Sequence, residues 1–207
     1  MDQEQIMAGI FLKFIDLYRE IHDHALTSPD RCWHLWRVAR DCVDVPGAMV
    51  ECGTYRGGSA KFIYKCLFHD AKKMYVFDTF EGIPGSQRLD GEHEAGNFTS
   101  NEQQVRTYLS DCEHLKVIKG LVPEILYQTI ADETFSFVYL DMDLYKPTLE
   151  ALGFFWSRLS PGGAIVMDDV DTLGGVTQAI LEFRGMNPRA EYYRSTLDQS
   201  VLIKTGE

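Results

Sequence analysis

No run of about eighteen uncharged apolar residues occurs anywhere in the chain, which excludes a membrane-spanning helix on length alone. The N-terminus, MDQEQIMAGIF, is acidic and polar where a secretory leader is basic and then apolar, so the expected location is the cytoplasm. Basic clusters are missing as well. The net charge is −11, and gripping nucleic acid by its phosphates needs a concentrated basic face, so nucleic acid is not an expected partner and neither is a membrane. Paired cysteines are absent: Cys32, Cys42, Cys52, Cys66 and Cys112 are odd in number, form no CxxC, and read as reduced, mostly buried, small apolar residues. Cys52 stands in a motif but has no nearby histidine to activate a thiolate. Nor is there a composition break that would mark a second domain, and 207 residues suit one sizeable core. The expected organisation is a single domain, 1–207, with N-terminal helices (1–46) packed on a 47–207 core. A homo-oligomer stays open.

What the chain does have is two apolar runs that end in acids. FSFVYLDMD, Phe135 to Asp143, begins as a β-branched and aromatic run of strand length, as strands of a parallel sheet do when helices cover both faces. It then delivers Asp141 and Asp143. AIVMDDV, Ala164 to Val170, repeats the pattern and delivers Asp168 and Asp169. The crevice outside the carboxyl ends of such strands is where open α/β sheets bind ligands. Carboxylates gathered there raise one another's pKa and need protons or a cation, and hard oxygen ligands suit Mg²⁺. The competing reading for Asp143 and Asp171 is that they are helix N-caps.

Upstream, helical spacing runs over 3–26 and 31–44, with Trp33 and Trp36 read as packing in preference to pocket lining. A strand (Ala48 to Cys52) leads through Gly53, Gly57 and Gly58 into a helix from about Ser59, whose N-terminus is suited to an anion. The next strand, Lys73 to Phe80, ends on Asp78, which is placed to accept both ribose hydroxyls of an adenosine. GTYRGG is not GxGxxG and no GK[ST] follows, so neither a dinucleotide nor ATP is supported. Residues 81–100 read as a long loop, a lid or a disordered segment, in which Glu92, His93 and Glu94 face either an acceptor or solvent. A helix from Asn101 to Cys112, a strand ending at Gly120, a helix from Pro123, the acid-bearing strand, a helix from Lys146 to Leu159, the turn SPGG, the second acid-bearing strand and a helix from Gly174 to Arg184 follow. Two closing strands, Glu191 to Leu197 and Ser200 to Lys204, flank Asp198 and Gln199 and can pair only antiparallel. The expected fold is α/β: a doubly wound, Rossmann-like, mostly parallel seven-stranded sheet with an antiparallel last strand.

With these pieces in order, the chain resembles the class I S-adenosyl-methionine-dependent methyltransferases, and more closely the macrocin and mycinamicin O-methyltransferase family. The resemblance is carried by VPGAMVECGTYRGGSA, FDTFEGIP, LDMDLYKPTLEAL and LSPGGAIVMDDV, within about 45–185. It implies that Glu51, Gly53, Thr54, Tyr55 and Ser59 surround the methionine end of S-adenosyl-L-methionine, Asp78 its ribose and the neighbourhood of Gly120 its adenine. It implies Mg²⁺ on Asp141, Asp168 and Asp169. ECGTYRGGS is similar also to the catechol O-methyltransferases, from which this chain departs at Leu144, the position of their basic lysine. The implied reaction is direct methyl transfer to a small-molecule hydroxyl, of a sugar or natural product, with Asp141 assisting or accepting the proton and Lys146 and His93 as other candidates. Two readings compete: an NAD-dependent oxidoreductase, which lacks its fingerprint, and a non-catalytic cofactor-binding protein, which gives no reason for acids to converge.

Overall fold

A computed structural model describes residues 3–66, 72–85, 90, 95–195 and 197–206. Two helices, α1 (Gln3–Ile21) and α2 (Pro29–Asp41), precede an alternating run: β1 (Ala48–Cys52), α3 (Gly58–Cys66), β2 (Met74–Asp78), α4 (Glu102–Tyr108), β3 (Leu115–Lys119), α5 (Glu124–Thr129), β4 (Phe135–Leu140), α6 (Tyr145–Arg158), β5 (Leu159–Met167) and α7 (Gly174–Met186). The hairpin β6 (Glu191–Arg194) and β7 (Ser200–Ile203) closes the sheet. Its order is β3-β2-β1-β4-β5-β7-β6, with β1 to β5 parallel to one another and β7 antiparallel to both β5 and β6. The strand order reverses between β1 and β4, so the crevice of the fold opens over their carboxyl ends.

Both central strands are buried along their whole length, and the two-residue period sends alternate side chains to opposite layers. Val50, Cys52, Val138 and Leu140 pack with Leu126 of α5, Phe155 of α6 and Ile180 of α7. Met49, Phe137 and Tyr139 pack with Leu35 of α2, Ile63 of α3 and Val105 of α4. Phe155 is fully buried, and cutting such a ring back to alanine costs about 3–5 kcal/mol. A third cluster joins Phe14, Ile21, Trp36 and Phe62, with Trp33 edge-on to Phe14 at 4.9 Å. The two tryptophans are therefore packing residues that seat α1 and α2 on α3.

Two boundaries differ from the sequence reading. SPGG is a wide bulge inside β5, because Phe135 pairs with Leu159 and Phe137 with Ala164. Gly162, at φ +83, donates to the Lys204 carbonyl while Lys204 donates back to Gly163, so the extra residues stay laced into the sheet. The hairpin turn is longer than Asp198 and Gln199 alone, since Ser195 donates to the Gln199 carbonyl and Asp198 takes the left-handed region at φ 61. No described helix is long and apolar enough to cross a membrane.

Candidate active site

The rim of the site is set by the backbone ladder carried one residue past each strand. Gly53 donates to Phe77 O (2.9 Å), Asp141 to Cys52 O (2.9 Å), Asp168 to Leu140 O (3.0 Å) and Gly120 to Asp78 O (3.0 Å). Residues far apart in sequence are thereby fixed along one edge. At Gly53 the chain turns at φ +87, and a Cβ there would lie 1.8 Å from the Asp141 carbonyl oxygen, so only glycine allows β1 and β4 to leave the sheet so close together.

Above this rim opens a cavity of about 260 Å³. Of the residues expected around a cofactor, Gly53, Tyr55, Asp78 and Gly120 line it, while Glu51, Thr54 and Ser59 are buried behind it. Of those expected around a metal, Asp141, Asp168 and Asp169 all line it. Tyr55, Asp143 and Asp169 adopt positive φ (54, 63 and 52), a conformation that costs non-glycine residues about 1–3 kcal/mol each and collects at functional sites.

Asp78 does more than face the cavity. Its Oδ2 accepts from the backbone N–H of Thr54 and of Tyr55 (2.8 Å each), and its Oδ1 from Phe80 (2.7 Å). The carboxylate thus holds the turn after β1 and the turn after β2 together. With Oδ2 doubly occupied, one free lone-pair direction remains on Oδ1, so a single direct hydroxyl bond fits where two were expected. The N–H of Gly58, at the start of α3, is likewise engaged, by the His24 carbonyl. Glu51 is fully buried and neither carboxyl oxygen has a hydrogen-bond partner among the described residues. Burial pushes its pKa up to about 7; the Ser59 and Thr54 hydroxyls stand near enough to oppose this without closing a hydrogen bond, and the Asp78 charge adds to it.

At the other end of the cavity lie the acids. Carboxylate oxygens of Asp141, Asp143 and Asp169 come within 4.8 Å of one another. Asp168 is turned aside: Tyr139 donates to its Oδ2 at 2.7 Å and Arg31 to its Oδ1 at 3.2 Å. Burial, followed by the neighbouring carboxylate charges, holds Asp141 and Asp143 well above the ordinary range. Burial raises Asp168 too, opposed by the Tyr139 hydrogen bond and the Arg31 charge. Such a donor set, all hard oxygens and short of positive charge, fits a divalent ion such as Mg²⁺.

Asp143 is not a helix cap. The N-cap of α6 is Leu144, and the N–H of Tyr145 goes instead to Oδ1 of buried Asp90 at 2.6 Å. Asp171 is no cap either, the N-cap of α7 being Leu173. Leu144 is buried against the cavity, and Lys146 lies on the exposed side of α6 beside Glu150. Glu92, His93 and Glu94 fall outside the described residues. The 81–100 segment contributes Gly82, Ile83, Pro84 and Phe98 to the cavity wall, and its two arms are joined by reciprocal bonds, Ile83 to Asn97 O and Gly96 to Ile83 O. Cys32, Cys42, Cys52 and Cys112 are buried; burial raises the thiol pKa to about 12 at Cys32 and well above the ordinary value at Cys52, which keeps these two inert.

Sequence reasoning missed Arg31, Tyr139, Asp90 and Asp198. Arg31 lies more than 130 positions from Asp168 and Asp169, and nothing local distinguishes it from any other arginine on a helix. Tyr139 was in view inside FSFVYLDMD, and strand alternation puts it on the same face as Asp141, a signal that could have been used.

Residues 23–193 match the family described as Macrocin-O-methyltransferase (TylF). A relative from Streptomyces olivaceus, 8-demethyl-8-(2,3-dimethoxy-alpha-L-rhamnosyl)-tetracenomycin-C 4'-O-methyltransferase, is 32% identical over 155 residues, covering 68% of this chain and 59% of the relative. The chain thus spans less than two thirds of that relative's length. Among solved structures, the O-methyltransferase NovP superposes with a TM-score of 0.70 at 20% identity, over 88% of this chain and 83% of NovP. TomG from Streptomyces achromogenes, an O-methyltransferase solved in complex with SAM, gives 0.61 at 18% identity, over 94% and 88%. At such identities the likeness establishes the fold.

Proposed function

We propose, for a chain that belongs to the macrocin-O-methyltransferase family, that it transfers the methyl group of S-adenosyl-L-methionine to a hydroxyl of a small molecule, a sugar or a glycosylated natural product, with a divalent ion such as Mg²⁺ in the acid cluster. The observation that carries this is one cavity with two chemically different ends, Asp78 and Gly120 at one and Asp141, Asp143 and Asp169 at the other, with the Gly53 turn between them. The sugar assignment leans on the rhamnosyl substrate named for the Streptomyces olivaceus relative.

In this reading Asp78 orients the ribose through Oδ1, and Gly120 with Leu121 and Val122 receives the adenine. Gly53 and Tyr55 flank the methionine end, with Glu51, Thr54 and Ser59 as a buried polar layer behind. Asp141, Asp143 and Asp169 supply the oxygens for the ion, with Asp168 alongside. When bound, the ion supplies Lewis-acid charge that makes an acceptor hydroxyl more acidic. Asp141 adjoins the Gly53 turn on the side of the acid cluster that faces the cofactor end, a position that suits its carboxylate to take the hydroxyl proton. Leu144 and Pro147 close the acceptor side with apolar surface and exclude water there.

The test is methyl transfer from labelled S-adenosyl-L-methionine to a panel of glycosides and free phenols, with and without EDTA. Transfer to sugar hydroxyls that stops in EDTA and is absent in Asp169→Asn is the expected result. Full turnover in excess EDTA sinks the metal assignment. Calorimetric binding of NAD in place of S-adenosyl-homocysteine sinks the reaction.

A further inference from the structure

Among the described residues that line the cavity, Arg31 is the one cation, and methyl transfer leaves it without a task. It sits in the first turn of α2 and reaches across to the carboxyl ends of the sheet with its side chain 24% exposed. Its two terminal nitrogens serve different acids. Nη1 donates to Asp168 Oδ1 at 3.2 Å and to Asp169 Oδ1 at 3.0 Å, while Nη2 donates to Asp198 Oδ2 at 2.8 Å. Asp169 belongs to the three-acid cluster, and Asp168 lines the cavity beside it. Asp198 stands outside the metal-binding group, fixed on the β6–β7 turn, where its Oδ1 accepts from the N–H groups of Asp171 and Thr172.

We propose that Arg31 is a tethered counter-cation that exchanges with the divalent ion: without the ion Nη1 neutralises Asp168 and Asp169, and with it those oxygens are released while Nη2 stays on Asp198. The inference rests on the metal reading above. Its physical basis is that guanidinium and a divalent ion compete for lone pairs of the same Asp169 carboxylate and repel each other across it. The planar fork lets Arg31 give up one partner and keep the other, which a lysine, with a single nitrogen, could not do. The residues just before α2, Leu26 and Thr27, line the same cavity, so the exchange links the state of the acid cluster to the cavity wall.

The experiment titrates Mn²⁺, followed by electron paramagnetic resonance, into the full-length wild type, Arg31→Gln, Arg31→Lys and Asp169→Asn, with melting of each recorded in EDTA. The expected result is that Arg31→Gln binds Mn²⁺ roughly tenfold tighter or better, about 1.4 kcal/mol or more, and melts lower than wild type in EDTA, with Mn²⁺ restoring the difference. Arg31→Lys, which keeps the charge but loses the fork, shifts affinity in the same direction by less, and it carries the test if Arg31→Gln does not fold without ion. Asp169→Asn loses binding. Equal or weaker Mn²⁺ binding by both Arg31 variants, with wild type binding intact, overturns the exchange and leaves the metal site standing. No Mn²⁺ binding by any protein overturns the metal reading and the exchange with it.

Discussion

Replacing Asp78 by alanine separates two roles that one carboxylate plays. As a ribose ligand it has room for one further hydrogen bond, whose loss, at roughly 1.5–3 kcal/mol for a charged acceptor, lowers affinity for S-adenosyl-homocysteine about tenfold or more. As a structural clamp it accepts three backbone N–H groups, from Thr54, Tyr55 and Phe80. Two of those residues, Tyr55 and Phe80, are held at φ 54 and 57, where bulky side chains are strained. Thr54 and Phe80 are nearly inaccessible to replacement water, at 2% and 4% exposure. Three orphaned donors at about 1 kcal/mol each, after relaxation toward the cavity, give a destabilisation of about 3 kcal/mol. For a chain of this size that is a fall in Tm of roughly 6–12 °C. Calorimetric melting of ligand-free Asp78→Ala, beside titration with S-adenosyl-homocysteine, reads both quantities. If the ligand-free variant melts within a degree of wild type while affinity drops, Asp78 is a ligand only and the clamp described here is wrong.

Glu51→Gln tests the buried, unpartnered carboxyl. A folded-state pKa of about 7 against an ordinary 4.5 means that the native protein binds this proton more tightly than the unfolded chain does. Stability therefore falls as pH rises from about 4.5 through 7, by about 3 kcal/mol from this group, and levels off above. The glutamine variant lacks that slope, so its Tm relative to wild type should rise by several degrees between pH 5 and pH 8; a difference that does not change with pH would refute the assignment. Asp90→Ala removes the distant acceptor of the first N–H of α6 and should cost about 1–2 kcal/mol, with faster hydrogen exchange at the Tyr145 amide. An unchanged exchange rate there would mean that another group holds that end.

The alternation of strands and helices was legible because burial on both faces leaves a plain mark, continuous apolar runs such as MYVF and FVYL. The hairpin and the antiparallel strand followed from a connection too short for a crossover. The carboxyl-end acids were legible for the same reason, since each terminates a buried run. Contacts that join distant segments were not. Asp90 capping α6, Arg31 spanning three aspartates and Asp198 holding the turn after β5 depend on which loop lies over which strand, and no local period encodes that. For Asp143 two readings stood open, cluster acid or helix cap, because aspartate is favoured at N-caps; here it lies at positive φ beside Asp169, and the loop residue Asp90 accepts from the first N–H of α6.

The two outermost strands carry a consequence for association. β6 is four residues long, with Glu191 and Arg194 exposed at its ends, and at the opposite edge β3 exposes Lys116 and Lys119. Short or lysine-bearing borders are poor templates for a neighbouring chain, because docking would bring like charges together or leave most amides unmatched. Growth of the sheet from one molecule into the next is thus discouraged at both borders. Association is thereby directed away from the sheet borders, and aggregation on partial unfolding should begin at the central strands once their cover is lifted.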